Sequence, residues 1–160
     1  VLVQPSNVEA RIASVAVGGR EVDAAEAGQP VVVTLDRERD VSRGDVISAA
    51  SAPLPVSDQF AAHLVWMDEA PLVSGRGYWL RIGTREVAAT VTEISHRIDV
   101  NTQAHEAAKQ LAMNDVGLVK LSLAAPIPLA TYDESRSLGG FILVDRLTNA
   151  TAGAGVVRHG

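Results

Sequence analysis

Four histidines are the residues of this chain best suited to acid–base or metal chemistry. They are His63, His96, His105 and His159. No two of them have the i, i+4 spacing that would place both imidazoles on one helix face. The chain also has no cysteine that could supply a thiolate ligand. We therefore expect no metal site.

His96 precedes Asp99 by three residues, so the carboxylate could orient the imidazole as a general base. The pair lies beside a predicted turn, and neither a nucleophile nor a pair of oxyanion-stabilising donors is evident nearby. We therefore favour histidines that are exposed or hydrogen bonded within the fold. The sequence predicts no catalytic, cofactor-binding or metal-binding residue in this chain.

Other suggestive motifs are better explained as loops. Arg43-Gly44-Asp45 matches a cell-adhesion tripeptide, but in a turn it supplies a flexible glycine. Asn149-Ala150-Thr151 fits a glycosylation sequon, which has no meaning in a cytoplasmic chain. The charges of Glu38-Arg39-Asp40 and of Asp133-Glu134 fit solvated loops. A GxxxxGK[ST] phosphate loop, the usual cradle of a nucleoside triphosphate, does not occur.

Composition limits the classes of partner. With 160 residues and 47% hydrophobic residues, the chain is long enough to bury a core. A net charge of −5 disfavours a nucleic-acid backbone as partner. No apolar run approaches the roughly 20 residues needed to span a bilayer. No signal peptide is evident, so we expect a cytoplasmic location.

The elements that must hold these residues are mostly short strands separated by turns. Val1 already lies in a predicted strand, so we expect a piece of a longer protein. Residues 51–56 form a small, proline-bearing linker. One interruption is Thr102–Ala112, where Ala104, Ala107, Ala108 and Leu111 recur with helical period and predict a short helix. Eight or more short strands with turns between them indicate a β-barrel or sandwich.

The most informative stretch is Tyr132–Val157. Gly139-Gly140 lead into an apolar strand, Phe141–Val144, and a polar turn separates it from Thr151–Val157. Glycines alternate within this last strand, which indicates close backbone approach in a small closed barrel.

These residues resemble the closing hairpin of the third domain of elongation-factor-like GTPases. The longer stretch SLGGFILVDRLTNATAGAG is similar to the GTPase subunit of the bacterial heterodimeric sulfate adenylyltransferase. RIGTREVAATVTEISHRIDVNT and LAMNDVGLVKLSL extend the likeness over residues 57–157. PSNVEARIASV, DAAEAGQPVVVTL and VSRGDVIS more loosely resemble the second half of the preceding barrel.

The resemblance implies an all-β fold of two tandem elongation-factor-like β-barrels. Residues 1–50 would be part of the first, incomplete barrel, and residues 57–160 a six-stranded Greek-key barrel with one short helix. In that family, GTP hydrolysis is coupled to the formation of adenylylsulfate from ATP and sulfate. GTP and Mg²⁺ would be bound by a GTPase domain outside this segment. The segment itself would dock that domain and the smaller catalytic subunit, without a cofactor of its own.

Three other expectations follow. A translation-factor-like fragment that binds transfer RNA is an alternative, although the acidic charge disfavours it. A free-standing barrel that binds a small ligand is another, but Val, Leu and Phe fill the inward positions, so no large apolar cavity is expected. If the first barrel lacks its opening strands, Val1–Gln4 and its neighbours leave open edges that favour self-association.

Overall fold

The computed structural model describes residues 1–158. The chain divides into two compact units, one from Val1 to Pro53 and the other beginning at Leu54. The predicted linker, residues 51–56, spans this division, and the predicted domain bounds stay a prediction. Among the residues that the structure describes, no helix has the length and apolar character of a membrane-spanning segment.

The first unit holds two antiparallel sheets of three strands each. Its strands are β1 (Leu2–Gln4), β2 (Val8–Glu9), β3 (Ile12–Val17), β4 (Arg20–Val22), β5 (Val32–Leu35) and β6 (Val46–Ser48). One sheet has the order β2-β1-β6 and the other β4-β3-β5. Gly18 and Gly19 form the tight turn between β3 and β4 with φ of 59° and 78°, a conformation that side chains disfavour.

The strand predicted to leave an open edge is paired on both sides. In β1, Val3 lies opposite Val8 of β2 and Ile47 of β6, and Val3 is fully buried. The expectation of an open edge is therefore wrong for residues 1–4. The outer strands of this sheet are β2 and β6. Self-association stays a prediction.

The second unit is a closed barrel. Its strands are β7 (Val56–Trp66), β8 (Leu72–Val73), β9 (Gly77–Ile82), β10 (Arg85–Ile98), β11 (His105–Glu106), β12 (Gln110–Leu111), β13 (Val116–Pro128), β14 (Gly140–Val144) and β15 (Thr151–Arg158). Hydrogen bonds connect β10-β13-β7-β15-β14-β9 in that order, and β9 pairs again with β10. Six strands thus close on themselves, which confirms the all-β fold class.

Alternation of buried and outward-facing residues builds most of the barrel core. Along β7, Ala62, Leu64 and Trp66 are fully buried, while His63 lies on the opposite face. Parts of β10 and β13 follow the same pattern; their alternating buried residues are Val87, Ala89, Val91, Val119, Leu121 and Leu123. The core is therefore filled mainly by branched aliphatic side chains.

The glycines of β15 permit neighbouring side chains to approach its backbone closely, as predicted. A Cβ at Gly153 would lie 3.1 Å from Trp66 Cε3. A Cβ at Gly155 would lie 2.5 Å from Phe141 Cζ and 2.8 Å from the His63 carbonyl oxygen. The rings of Phe141 and Trp66 thus pack over the bare backbone of β15.

The predicted helix at Thr102–Ala112 is wrong. Strands β11 and β12 lie there, and the one helix of the described residues, α1, is Arg136–Gly139. Ala104 and Ala107 are exposed, so the alanine stripe buries too little to stabilise a short helix. The strands form instead because β11 pairs with β10 and Leu111 is buried in the core. An ion pair between Arg97 of β10 and Glu106 of β11 adds to this pairing.

Candidate functional site

Three histidines that are far apart in the sequence share one outer region of the barrel. Across adjacent strands, Val156, His63, Leu118 and His96 lie in register. His105 of β11 stacks on His96 with ring centroids 4.0 Å apart and planes at 15°. His159 lies outside the described residues. The antiparallel sheet, rather than local spacing, brings these imidazoles together.

The environment disfavours protonation of two of these imidazoles. Burial, and secondarily the positive charge of Arg158, lower the pKa of His63 below 6.5. Arg158 Nη1 lies 3.3 Å from His63 Nδ1. Burial and His105 lower the pKa of His96, whose Nε2 is buried and has no hydrogen-bond partner within residues 1–158. Both imidazoles therefore favour the neutral form more than a free histidine does.

The described side chains of this region do not form a cluster of metal ligands, and Asp99 has other partners than His96. Within residues 1–158, no group of three or more His, Cys, Asp or Glu side chains is placed to hold a metal ion. The carboxylate of Asp99 does not orient His96, because its Oδ1 accepts hydrogen bonds from the backbone N–H groups of Asn101 and Thr102 at 2.8 and 3.0 Å. Asp99 is therefore a turn residue.

The same turn occurs a second time at the closing hairpin. Asp145 Oδ1 accepts hydrogen bonds from Leu147 N at 2.8 Å and Thr148 N at 3.0 Å. These N–H groups are the main reason that the pKa of Asp145 lies below 3.8. Asn149 completes the turn with φ of 59°, as Gln103 does after Asp99 with φ of 63°. Both turns have the sequence Asp-x-x-Thr-(Asn/Gln)-Ala.

The turn at Asp145 presents an apolar and cationic surface, which we call the hairpin surface (Trp79, Ile142, Arg146 and Leu147). Leu147 is 93% exposed at its tip. The guanidinium of Arg146 lies 5.0 Å from the centroid of the Trp79 ring. Ile142 of β14 is half-buried and lies opposite Arg81 on β9, two residues along that strand from Trp79. No prediction from the sequence included this surface, although the apolar Leu147 within the polar run Asp145–Asn149 indicates it.

The remaining sequence motifs lie in turns and loops. Asp45 Oδ2 accepts a hydrogen bond from Ser42 N at 2.9 Å, and Gly44 has φ of 96°. Arg43-Gly44-Asp45 thus lies in a tight turn. Arg39 Nε donates to the Glu9 carbonyl oxygen at 3.1 Å.

Two further sequence-predicted loop segments lie on the second unit. Asp133 is exposed, and Glu134 Oε2 accepts a hydrogen bond from Thr131 N at 3.2 Å. Asn149 of the sequon adopts positive φ in the hairpin turn.

A surface cleft is the other feature that the sequence did not predict. It has a volume of about 440 Å³ and lies at one end of the barrel. Phe60 and Leu121 are among its apolar lining residues, and Lys120 and Arg158 line it as cations. No local sequence pattern indicates it, because its lining comes from β7, β10, β13, β15 and the segment before α1.

Comparison with known proteins adds a family. The family model described as "GTP-eEF1A C-terminal domain-like" matches residues 59–158. The chain is 49% identical over its whole length to "Bifunctional enzyme CysN/CysC" of Xylella fastidiosa and covers 26% of that protein. It is 50% identical over 99% of its length to "Bifunctional enzyme NodQ" of Azospirillum brasilense, again covering 26% of the relative.

A shorter relative agrees with these two. "Sulfate adenylyltransferase subunit 1" of Laribacter hongkongensis is 42% identical over 99% of this chain, which covers 33% of that protein. The chain thus spans about a quarter to a third of the curated relatives it matches. Among solved structures, Sup35 complexed with GDP has a TM-score of 0.89 at 19% identity, with 99% of this chain and 40% of Sup35 covered. That likeness concerns the fold alone.

The family match covers most of the closed six-stranded barrel, including its glycine-bearing last strand. The resemblance drawn from the closing hairpin is confirmed by relatives that include sulfate adenylyltransferase subunit 1. This chain belongs to the GTP-eEF1A C-terminal domain-like family.

Proposed function

We propose that this chain is the non-catalytic β-barrel region of a sulfate adenylyltransferase GTPase subunit. The parent couples GTP hydrolysis to the formation of adenylylsulfate from ATP and sulfate. The observation that carries the proposal is 42–49% identity, over 99–100% of this chain, to proteins named sulfate adenylyltransferase subunit 1 and CysN/CysC. The parent's activity requires residues that this chain does not supply.

The work of this region is to hold other parts of the enzyme. GTP and Mg²⁺ are bound by the GTPase domain of the parent, because this sequence has no phosphate loop. The region itself needs no cofactor. Its contribution is a rigid barrel on which the GTPase domain and the smaller catalytic subunit dock.

The hairpin surface is our candidate for one of these contacts. Trp and Arg are the residue types most enriched at interface positions that dominate binding energy. Arg146 over Trp79 already forms a pre-organised pair, and Leu147 adds an apolar side chain that nothing covers in the second unit. The turn that carries them is held by Asp145, so little ordering is needed on binding.

The experiment measures binding of this chain to the smaller catalytic subunit and to the GTPase domain, separately and together. We expect binding in at least the three-component mixture, and Leu147→Asp should weaken it about tenfold, since a charge would be buried at the contact. Val100→Asp, which changes another exposed residue of the second unit (61% exposed), is the matched control. Failure to bind with the GTPase domain present would refute the docking role.

The same preparation tests the translation-factor alternative. A gel-shift titration with transfer RNA at low salt should give no complex, since the chain has a net charge of −5. A specific complex would favour that alternative over the metabolic role. Sedimentation of the isolated chain tests the predicted self-association; a monomer at high concentration would refute it.

A further inference from the structure

The cleft at one end of the barrel has the size and lining of a small-molecule site. Its volume of about 440 Å³ falls within the range of roughly 300–1,000 Å³ that is typical of ligand pockets. The larger apolar side chains of its lining belong to the barrel core or pack against it; they are Phe60, Leu121, Leu129 and Val157. The lining is therefore held in place by the same packing that holds the barrel.

Two cations stand on the rim. Lys120 Nζ lies 3.5 Å from Glu93 Oε2, but both side chains are more than half exposed, so this pair is weak and easily exchanged. Arg158 forms no ion pair within residues 1–158, and the contact of its guanidinium is the one with His63 Nδ1. The rim thus offers a charge that the described part of the chain leaves uncompensated.

The other polar groups of the rim are mostly neutral. Gln59, Thr92 and Thr131 line the cleft and can hydrogen bond to a ligand. The one acid of the lining is Glu134, whose Oε2 accepts a hydrogen bond from Thr131 N at 3.2 Å. Among the lining residues, two cations face one carboxylate, so the lining itself is net positive above an apolar floor. Glu93 lies outside the lining and is paired with Lys120 only through exposed side chains.

We propose that this cleft binds a small amphipathic anion. An aromatic or branched apolar group would lie against Phe60 and Leu121, and a carboxylate would bind Arg158 and Lys120. The planar guanidinium suits the two oxygens of a carboxylate. This proposal does not depend on the proposed docking role, because it uses a different part of the barrel.

A neighbouring histidine provides an internal reporter. A second depression of about 380 Å³ adjoins the cleft at Arg158 and is lined by His63. An anion bound at Arg158 would offset the positive charge beside His63, so the imidazole should take up a proton more readily. Binding at the proposed place therefore raises the pKa of His63, and binding elsewhere on the surface does not.

The test is an NMR titration of the chain with 4-phenylbutyrate, compared with the uncharged 4-phenylbutanol. We expect 4-phenylbutyrate to bind with a dissociation constant on the order of 1 mM, the strength typical of a ligand of this size. Amide shifts should map to residues 59–61, 120–121 and 129–131, and the His63 imidazole should titrate at higher pH. The alcohol should bind at least fivefold more weakly.

Two variants and a control distinguish binding at the cleft from nonspecific binding. Arg158→Gln should weaken binding of 4-phenylbutyrate about tenfold, through loss of a charge-assisted hydrogen bond. Gln59→Trp, which changes an exposed lining residue, should fill the cleft and abolish binding without unfolding the barrel. Arg81→Gln removes the same charge from an exposed pair with Glu86 and should change the affinity less than twofold.

The outcomes that would overturn the proposal are equally definite. Equal affinity for the acid and the alcohol, or unchanged affinity in Arg158→Gln, would each refute it. So would amide shifts that map to another surface, or no binding at a ligand concentration 10-fold above the expected dissociation constant. An unchanged amide spectrum of each ligand-free variant, apart from residues near the substitution, shows that the fold is retained.

Discussion

Gly155 of β15 and Phe141 of β14 lie directly opposite each other, and the Phe141 ring occupies the space that any side chain at position 155 would need. The ring also packs edge to face on Phe60, with centroids 5.6 Å apart. It therefore cannot move aside without disturbing the core. The glycine is required by packing, since β15 at this position is an ordinary strand.

Gly155→Ala should lower the free energy of unfolding by roughly 1–3 kcal/mol, the usual cost of overpacking a core. The new methyl group would meet Phe141 Cζ at 2.5 Å and the His63 carbonyl oxygen at 2.8 Å. Urea unfolding measures the change. Gly77→Ala is the control: its Cβ would meet only the end of the flexible Arg146 side chain at 3.3 Å, so stability should change by less than about 0.5 kcal/mol.

Asp145→Ala should reduce stability at pH 7 more than Asp99→Ala does. Both carboxylates hold the same kind of turn, but Asp145 is only 7% exposed and also pairs with Arg76 at 3.4 Å. The midpoint of urea unfolding measures each effect. A larger effect at Asp99 would contradict the assignment of the hairpin turn as the more constrained one.

The contribution of Asp145 to the free energy of unfolding should be lost at acid pH. Its pKa is lowered from 3.8 by the N–H groups of Thr148 and Leu147, so the folded state binds fewer protons than the unfolded state near this pH. The stabilisation is present above pH 3.8 and is lost as the pH falls through the lower pKa of the folded state. Stability curves of the wild type and Asp145→Ala, measured by urea unfolding, should therefore converge below pH 3.8.

His63 should titrate below pH 6.5, and Arg158→Gln should raise its pKa without restoring the ordinary value. Burial is the larger cause of the shift and remains in the variant, while the guanidinium is the smaller one and is removed. Imidazole resonances followed by NMR measure both values. Because the folded pKa is depressed, His63 favours folding above pH 6.5, and this contribution is lost as the pH falls below 6.5. An unchanged pKa in Arg158→Gln would contradict the contact, and Arg81→Gln should leave it unchanged.

Leu111→Ala should cost about 2–5 kcal/mol in the free energy of unfolding, as for other fully buried leucines. Leu111 is 0% exposed, and its Cδ2 would lie 2.9 Å from a Cβ at Gly117. Thermal or urea unfolding checks this. Met113→Ala, at a position 41% exposed, should have a small effect. A small effect at Leu111 would mean that the segment is not anchored in the barrel.

Leu147→Ser should leave the free energy of unfolding within about 0.5 kcal/mol of the wild type, because an exposed side chain makes few contacts to lose. Leu147 is 93% exposed, and the turn beneath it is held by Asp145. Urea unfolding of the isolated chain measures this. A marked loss of stability would show that Leu147 is covered within the chain and is not available to a partner.

The sequence by itself determined the barrel. Short strands separated by turns indicated a β-barrel or sandwich, and the bare positions of β15 indicated the close packing that Phe141 and Trp66 provide. These inferences succeed because the period of a strand and the missing side chain of glycine are local properties. They also carried the family resemblance.

Tertiary structure alone decided the rest. The helical period at Ala104 and Leu111 was overridden, because strand pairing and burial of Leu111 stabilise the segment more than a short alanine stripe does. His63 and His96 share one outer region of the barrel, and Lys120 and Arg158 line one cleft, only because strands distant in the sequence pair side by side. Local patterns report which face of a strand is buried, but neighbours on the outer face depend on strand order and register, which the whole barrel sets.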